Sequence, residues 1–268
     1  MSKILRGVGG ERTFNGAVIS ALVILTLFFI GIVVSLLSYT DWNTFVSALL
    51  SEEIVFAIKL SVITATIATI ISILIAIPVA YAISRTEFWG KDIVDSLLDL
   101  PIVISPIALG ACLLVFFNTP VGNAINDNLK FVFAMPGIVL AQIVVVCALA
   151  IRLLKSTFDS VDFRYEQVSR TLGCSKPEAF FRVTIPLAKN GLIAAAVLTW
   201  ARAIGEFGAT VTLAGATPMK TETLPIAIFL SLASADVGKA IAVIFILIVI
   251  AIIALLLLRK ITGRRYQI

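Results

Sequence analysis

The chain has 268 residues and a mass of 28.7 kDa; 60% of it is apolar, 14% is charged, and the mean hydropathy is +1.08. Soluble globular chains carry about 45–50% apolar and about 25% charged residues, so this balance excludes a water-soluble fold and makes lipid the main solvent. The absence of His removes imidazole acid–base chemistry, His-paired nucleophiles and imidazole metal sites, and Cys112, Cys147 and Cys174 lack the C-x-x-C spacing of a redox or zinc site.

A membrane-spanning helix needs about 20 mostly apolar residues. Six stretches meet this, near 17–37, 54–83, 93–117, 134–151, 191–213 and 237–258. The first is too long for the apolar part of a signal peptide, and no small-x-small cleavage pattern precedes residues 39–42, so it reads as a retained span. In the second, Ser61, Ala65 and Thr69, then Ala68, Ser72, Ala76 and Ala80, recur at helical spacing, which predicts packing seams against neighbouring helices. Lys59 sits about a turn from the outer end of that span and reaches for the headgroups. Pro101 and Pro106 predict a bend in the third span, and Asp95 and Asp99 near its start read as the solvated side of an interfacial helix. The apolar run 224–258 is too long for one span, so 224–231 reads as a short segment at the outer face and the sixth span begins near Val237. The expected fold class is an all-α integral membrane protein, a single transmembrane domain over residues 1–268 with one long polar connection, 152–189, between spans 4 and 5.

Lys and Arg beside spans are retained on the cytoplasmic side. Sixteen of the 21 fall at one end: Lys3, Arg6, Arg12, Arg85, Lys91, seven in the 152–189 connection, and Arg259, Lys260, Arg264 and Arg265. Only Lys130, Lys220 and Lys239 fall at the other. The expected protein is therefore multi-pass in the cell membrane with both termini cytoplasmic, and its net charge of +5 is a one-sided excess rather than a surface for nucleic acid.

A connection as long as 152–189 is usually functional. Its pattern is helical from Asp159 to Leu172, with Phe163, Val168 and Leu172 on an apolar side and a Glu166–Arg170 pair at i, i+4. Gly173 suits a left-handed stop. Ser175 and Glu178 then have capping-box spacing, with Pro177 in the first turn, where its missing N–H costs little. Phe180 and Phe181 follow as exposed aromatics wanting a partner surface, before Pro186 ends the short helix.

This segment resembles the EAA loop of the permease subunits of ABC importers, whose pattern runs from E-A-A through a G, then nine residues, I, one residue and L-P. Here Glu166 stands seven residues before Gly173, Val183 occupies the Ile position, Ile185 and Pro186 replace Leu-Pro, and Gln167 and Val168 replace the alanines. The resemblance implies the importer type I permease fold and a coupling helix between spans 4 and 5 that docks into an ATPase subunit, with Glu166, Arg170, Gly173, Ser175, Pro177, Phe180 and Phe181 as its residues. A second stretch, W-A-R-A-I-G-E-F-G-A-T at 200–210, resembles the fifth span of the molybdate, tungstate and sulfate permeases. The Thr-Leu-Pro-x-Ala-Ile run at 223–228 resembles the molybdate/tungstate branch more closely, and residues 100–110 resemble the third span of the group, with Ser105 where Leu or Val is commoner.

The resemblance implies an ATP-driven importer of molybdate or tungstate that works by alternating access, with sulfate or thiosulfate as the alternative cargo. Its implied partners are a second copy of the chain, two cytoplasmic ATPase subunits and an extracytoplasmic oxyanion-binding protein. No G-x-x-x-x-G-K-[ST] occurs, so no cofactor is expected on this chain, ATP-Mg belongs to the ATPase subunits and the chain is not itself an enzyme. Arg202 and Glu206, one turn apart, either flank the anion path or form a structural ion pair, while Gly205 and Gly208 permit close helix contact, within the chain or across a two-fold axis. Two readings of other classes stay open: a membrane-embedded enzyme using Asp95, Asp99 or Glu206, and an anion channel, which predicts flux without ATP.

Overall fold

Backbone in lipid has no water to bond to and must close its hydrogen bonds internally. The computed structural model does so with helices, and no strand occurs among the described residues, which are 2–38 and 42–262. The side chains of Lys3, Arg6, Arg12 and Trp42, and residues 39–41 and 263–268 with Arg264 and Arg265, lie outside the described set.

Helix α1 (Ser2–Ser38) carries the first apolar run, and none of its Phe14–Leu36 window is buried. After the short α2 (Trp42–Leu49), α3 (Glu52–Arg85) begins at Ser51, whose hydroxyl accepts the Ile54 N–H. Glu52 and Glu53 in its first turn and Arg85 in its last oppose the helix dipole. The small-residue seams lie where expected: Ser61, Ala65, Ala68, Thr69, Ser72, Ala76 and Ala80 are all buried, and α3 packs along α7 (Met135–Asp159) as the central pair of the bundle. Ser61 also accepts the Leu224 N–H at 2.7 Å, which ties α3 to the start of α12.

The third expected span is not one bent helix. Helices α4 (Lys91–Val103) and α5 (Pro106–Phe117) meet at 108°, a break rather than a kink. Pro106 causes it by forcing Ser105 into extended backbone (φ −62°, ψ 141°), and Ser105 then caps α5 by accepting the Ala108 N–H. Pro101 lies inside α4 without breaking it. Helix α6 (Pro120–Leu129) leads on to α7, which runs helical to Asp159, eight residues past the expected end of the fourth span.

The 160–184 segment returns through α8 (Arg164–Thr171) and α9 (Lys176–Ala179), and α9 does not stop at Pro186. It widens into a π-helical stretch, Phe180–Thr184, and continues as α10 (Ile185–Ile204). The Ile185 N–H reaches back five residues to the Phe180 carbonyl, and this looser register gives the pyrrolidine ring room that a regular turn denies it. The fifth span ends earlier than expected: it breaks after Ile204, and the chain resumes as the seven-residue α11 (Gly208–Ala214), packed on α5. Helix α12 (Leu224–Ala233) is the short segment expected before the last span, α13 (Val237–Thr262). Among the described residues five helices are long and apolar enough to cross a membrane, six if the two halves of the bent α4–α5 pair count as one span.

Candidate coupling site

The ends of α3 and α7 that carry Arg85 and Arg152 meet α8 and α9 at one end of the bundle, termed here the basic end. There α8 is amphipathic in reverse: Glu166 and Ser169 are buried, while Tyr165, Val168 and Leu172 are exposed. Glu166 explains the inversion. Its carboxylate accepts hydrogen bonds from the Tyr81 hydroxyl (2.8 Å), Arg85 Nε (3.1 Å) and the Thr184 hydroxyl (2.7 Å). A buried carboxylate is tolerable only with such partners, and they bind the end of α3 and the π-helical stretch to α8. Arg85 goes further, donating through Nη2 to the carbonyls of Phe158 (2.9 Å) and Val161 (2.7 Å), which closes the end of α7, and lying over the Phe163 ring.

Several expectations are revised by this arrangement. The i, i+4 pair of Glu166 with Arg170 does not form, because Arg85 takes the carboxylate, and Arg170 is exposed. The apolar side of α8 faces outward, where Val168 and Leu172, with Tyr165, Cys174 and Val183, line a groove of about 690 Å³. Phe180 is half-buried rather than exposed: its ring packs 4.6 Å from that of Tyr81 and also against Phe158, and it lines a cleft together with Phe181. Phe181 alone of the two is exposed, at the edge of that cleft, which lies between α3 and α9–α10.

The turn follows local rules. Gly173 has φ 98°, and its N–H and that of Cys174 bond back to the Arg170 and Ser169 carbonyls. The capping box forms: Ser175 Oγ accepts the Glu178 N–H, while Glu178 Oε2 accepts the Ser175 N–H at 2.9 Å, with Pro177 in the first turn. Nothing surrounds the Cα of Gly173, so a side chain there meets only backbone strain. Gly173→Ala is expected to cost about 1–2 kcal/mol in thermal unfolding of the detergent-purified protein, whereas Gly173→Asn, a residue that tolerates this conformation, stays close to the parent. Equal stability of the two variants would contradict the assignment.

The break in the fifth span gathers a second set of residues. Arg202 Nη1 lies 2.6 Å from Glu206 Oε2, and Glu206 Oε1 accepts the Ala209 N–H at 3.0 Å, so the carboxylate both pairs with Arg202 and caps α11. Gln142 on α7 donates to the Ala203 carbonyl at 3.0 Å, holding the frayed end of α10. Gly208 is required by close approach, since a Cβ there would lie 3.0 Å from the Ile107 backbone nitrogen of α5. Gly205, expected to do the same, has only the Ala201 carbonyl within 4 Å of such a Cβ and makes no close helix contact within the chain. Asp95 and Asp99 are not a solvated face; both carboxylates pair with Arg152 of α7.

Sequence reading missed Tyr81, Arg85, Thr184 and the Arg152 cluster. The one available signal was that a Glu placed near the membrane demands a cation, but nothing along the chain says which.

Residues 72–265 match the family described as the binding-protein-dependent transport system inner membrane component, a stretch that takes in α8, α9, the broken spans and α13. The chain belongs to that family. The permease is 36% identical over 211 residues to a probable molybdenum ABC transporter permease protein of Haloferax volcanii, covering 79% of this chain and 77% of that one. It is 37% identical over 174 residues to a molybdate/tungstate transport system permease protein of Pyrococcus furiosus, covering 65% of this chain and 66% of that one. A crystal structure of a bacterial alginate ABC transporter superposes on the permease with a TM-score of 0.76, covering 98% of each chain at 18% identity, which establishes a shared fold.

Proposed function

We propose that the permease is the membrane subunit of an ATP-driven importer of molybdate or tungstate. Two copies assemble with two cytoplasmic ATPase subunits, which hold ATP and Mg and carry out the hydrolysis, and with an extracytoplasmic oxyanion-binding protein. In this reading the basic end and both termini are cytoplasmic. The cargo rests on the relatives from Haloferax volcanii and Pyrococcus furiosus, whose names specify molybdenum and molybdate/tungstate.

The observation that carries the coupling role is the reversed amphipathicity of α8. A helix that buries its carboxylate and exposes Tyr165, Val168 and Leu172 around a groove has traded self-burial for a surface that another protein completes. The magnitudes are adequate. Moving a transporter from 1:99 to 99:1 between its two openings needs about 5.5 kcal/mol, and full burial of one large apolar side chain contributes about 1.5–3 kcal/mol. Three such side chains in each of two copies supply that difference if about half their burial changes between states.

The test is nucleotide-driven uptake in proteoliposomes holding the permease, its ATPase subunits and the binding protein. Leu172→Asp is expected to leave folding within about 0.5 kcal/mol of the parent, since Leu172 is 82% exposed. It should weaken ATPase docking by about 2 kcal/mol, roughly thirtyfold, with uptake falling accordingly. Uptake without ATP would point to a channel, preference for sulfate would overturn the cargo, and normal uptake by Leu172→Asp would remove α8 from the interface.

A further inference from the structure

Two arginines organise the basic end, and their burial separates them. Arg85 and Glu166 leave only 7% and 3% of their side chains exposed, so opening that pair would strand a charge away from water, and the joint stays closed. Arg152 is 29% exposed, and its partners Asp95 and Asp99 are 26% and 36% exposed. Water compensates both sides of an opened pair at that exposure, so this joint can break and re-form at small cost.

What the Arg152 joint holds is specific. Helix α4 has no fully buried residue, and among the described residues its polar bonds to α7 all go through Arg152: to the Asp99 carboxylate, to the Asp95 carboxylate and to the Asp95 carbonyl (3.2 Å). Asp95 Oδ1 lies 3.1 Å from Arg152 Nη1 as an ion-pair contact without hydrogen-bond geometry. At its far end α4 turns through 108° into α5, and α5 meets α11 beside Glu206 through the Ile107–Gly208 and Gly110–Ala209 approaches. On the other side, Arg152 precedes by two turns the end of α7 that Arg85 clamps to α8.

We propose that Arg152 is a positioning residue for transport: its pairing with Asp95 and Asp99 is a breakable latch that links movement of α7 and α8 to the α4–α5 elbow, and through it to the break in the fifth span. The permanent Arg85 joint moves α7 with the docked loop, and the latch determines whether the elbow follows. This rests on the reading of the chain as an ATP-driven permease. It differs from a purely structural salt bridge in what its loss does: ATP hydrolysis continues while the elbow no longer follows it.

The test uses the reconstituted complex with its ATPase subunits and binding protein. Arg152→Gln and Asp99→Asn are expected to keep ATP hydrolysis within about twofold of the parent while molybdate moved per ATP falls about tenfold, within the usual range of site–site coupling. The combined variant falls no further than either single one, because both remove the same latch. The charge-swapped pair Arg152→Asp with Asp99→Arg recovers part of the lost stoichiometry. Unchanged stoichiometry in Arg152→Gln, or uptake lost only in step with hydrolysis and thermal stability, overturns the latch. A measurement independent of cargo accompanies this: spin labels at Ile93→Cys on α4 and Ser156→Cys on α7, in a complex whose permease lacks its three native cysteines, report one narrow distance that broadens in Arg152→Gln. An unchanged distribution overturns the latch even where the importer reading holds, while broadening in a complex that takes up no oxyanion supports the latch and sinks the importer reading.

Discussion

Glu166→Ala lowers the stability of the permease by about 3–5 kcal/mol and abolishes nucleotide-driven uptake, the largest effect expected of any single substitution at the basic end. The side chain is almost fully buried and is the shared acceptor for Tyr81, Arg85 and Thr184, which come from α3 and the π-helical stretch. Removing it leaves a guanidinium and two hydroxyls facing a void, and the guanidinium dominates the cost. Arg85 keeps its bonds to the Phe158 and Val161 carbonyls, so α7 stays clamped to α3 while α8 loses its anchor. Glu166→Gln preserves shape and still accepts hydrogen bonds but loses the charge, and should cost about 1–3 kcal/mol. Arg170→Ala, at an exposed position on the same helix, should stay within about 0.5 kcal/mol. Thermal unfolding in one detergent–lipid mixture, run beside uptake, ranks the three. A ranking with Arg170→Ala above Glu166→Ala would mean that the local i, i+4 pair, not the buried network, holds the loop.

The second large effect concerns the fifth span, where burial makes the two members of the ion pair unequal. Glu206 is 1% exposed at its side chain and Arg202 38%. Arg202→Ala therefore strands a buried carboxylate and is expected to cost about 3 kcal/mol or more, whereas Glu206→Ala leaves a guanidinium that still reaches open space and loses mainly the α11 cap, about 1 kcal/mol. The double variant Arg202→Met with Glu206→Gln removes both charges yet keeps an acceptor for the Ala209 N–H, and should unfold within about 1 kcal/mol of the parent. Because both Glu206 oxygens are already engaged, we expect this neutral pair to retain most uptake. Parent-like stability with uptake lost would instead put Arg202 on the anion path.

The residues that could be read along the chain share one property: their partners lie within a few positions. The capping box of Ser175 and Glu178, the left-handed Gly173 and the small-residue seam of α3 depend on local geometry or on one helix face, and each appears as expected. The same locality misled the reading of Glu166, since Arg170 at i+4 was the nearest cation along the chain. Pro106 and Pro186 show a subtler limit. Both promised disruption, but one broke its span through 108° while the other was absorbed by a π-helical turn, an outcome that depends on how each flanking helix packs.

Composition and pattern alone determined the solvent, the number of apolar runs and the position of the long connection, because these follow from transfer free energies and short-range backbone geometry. Only the tertiary structure decided which charges meet. Arg85 finds Glu166 across 81 residues and Arg152 finds Asp99 across 53. A buried charge takes whatever partner helix packing brings to it, and that packing is set by the whole α3–α7–α10 core rather than by any window of sequence. The same packing decided which face of α8 turns outward, and with it the surface left for a partner.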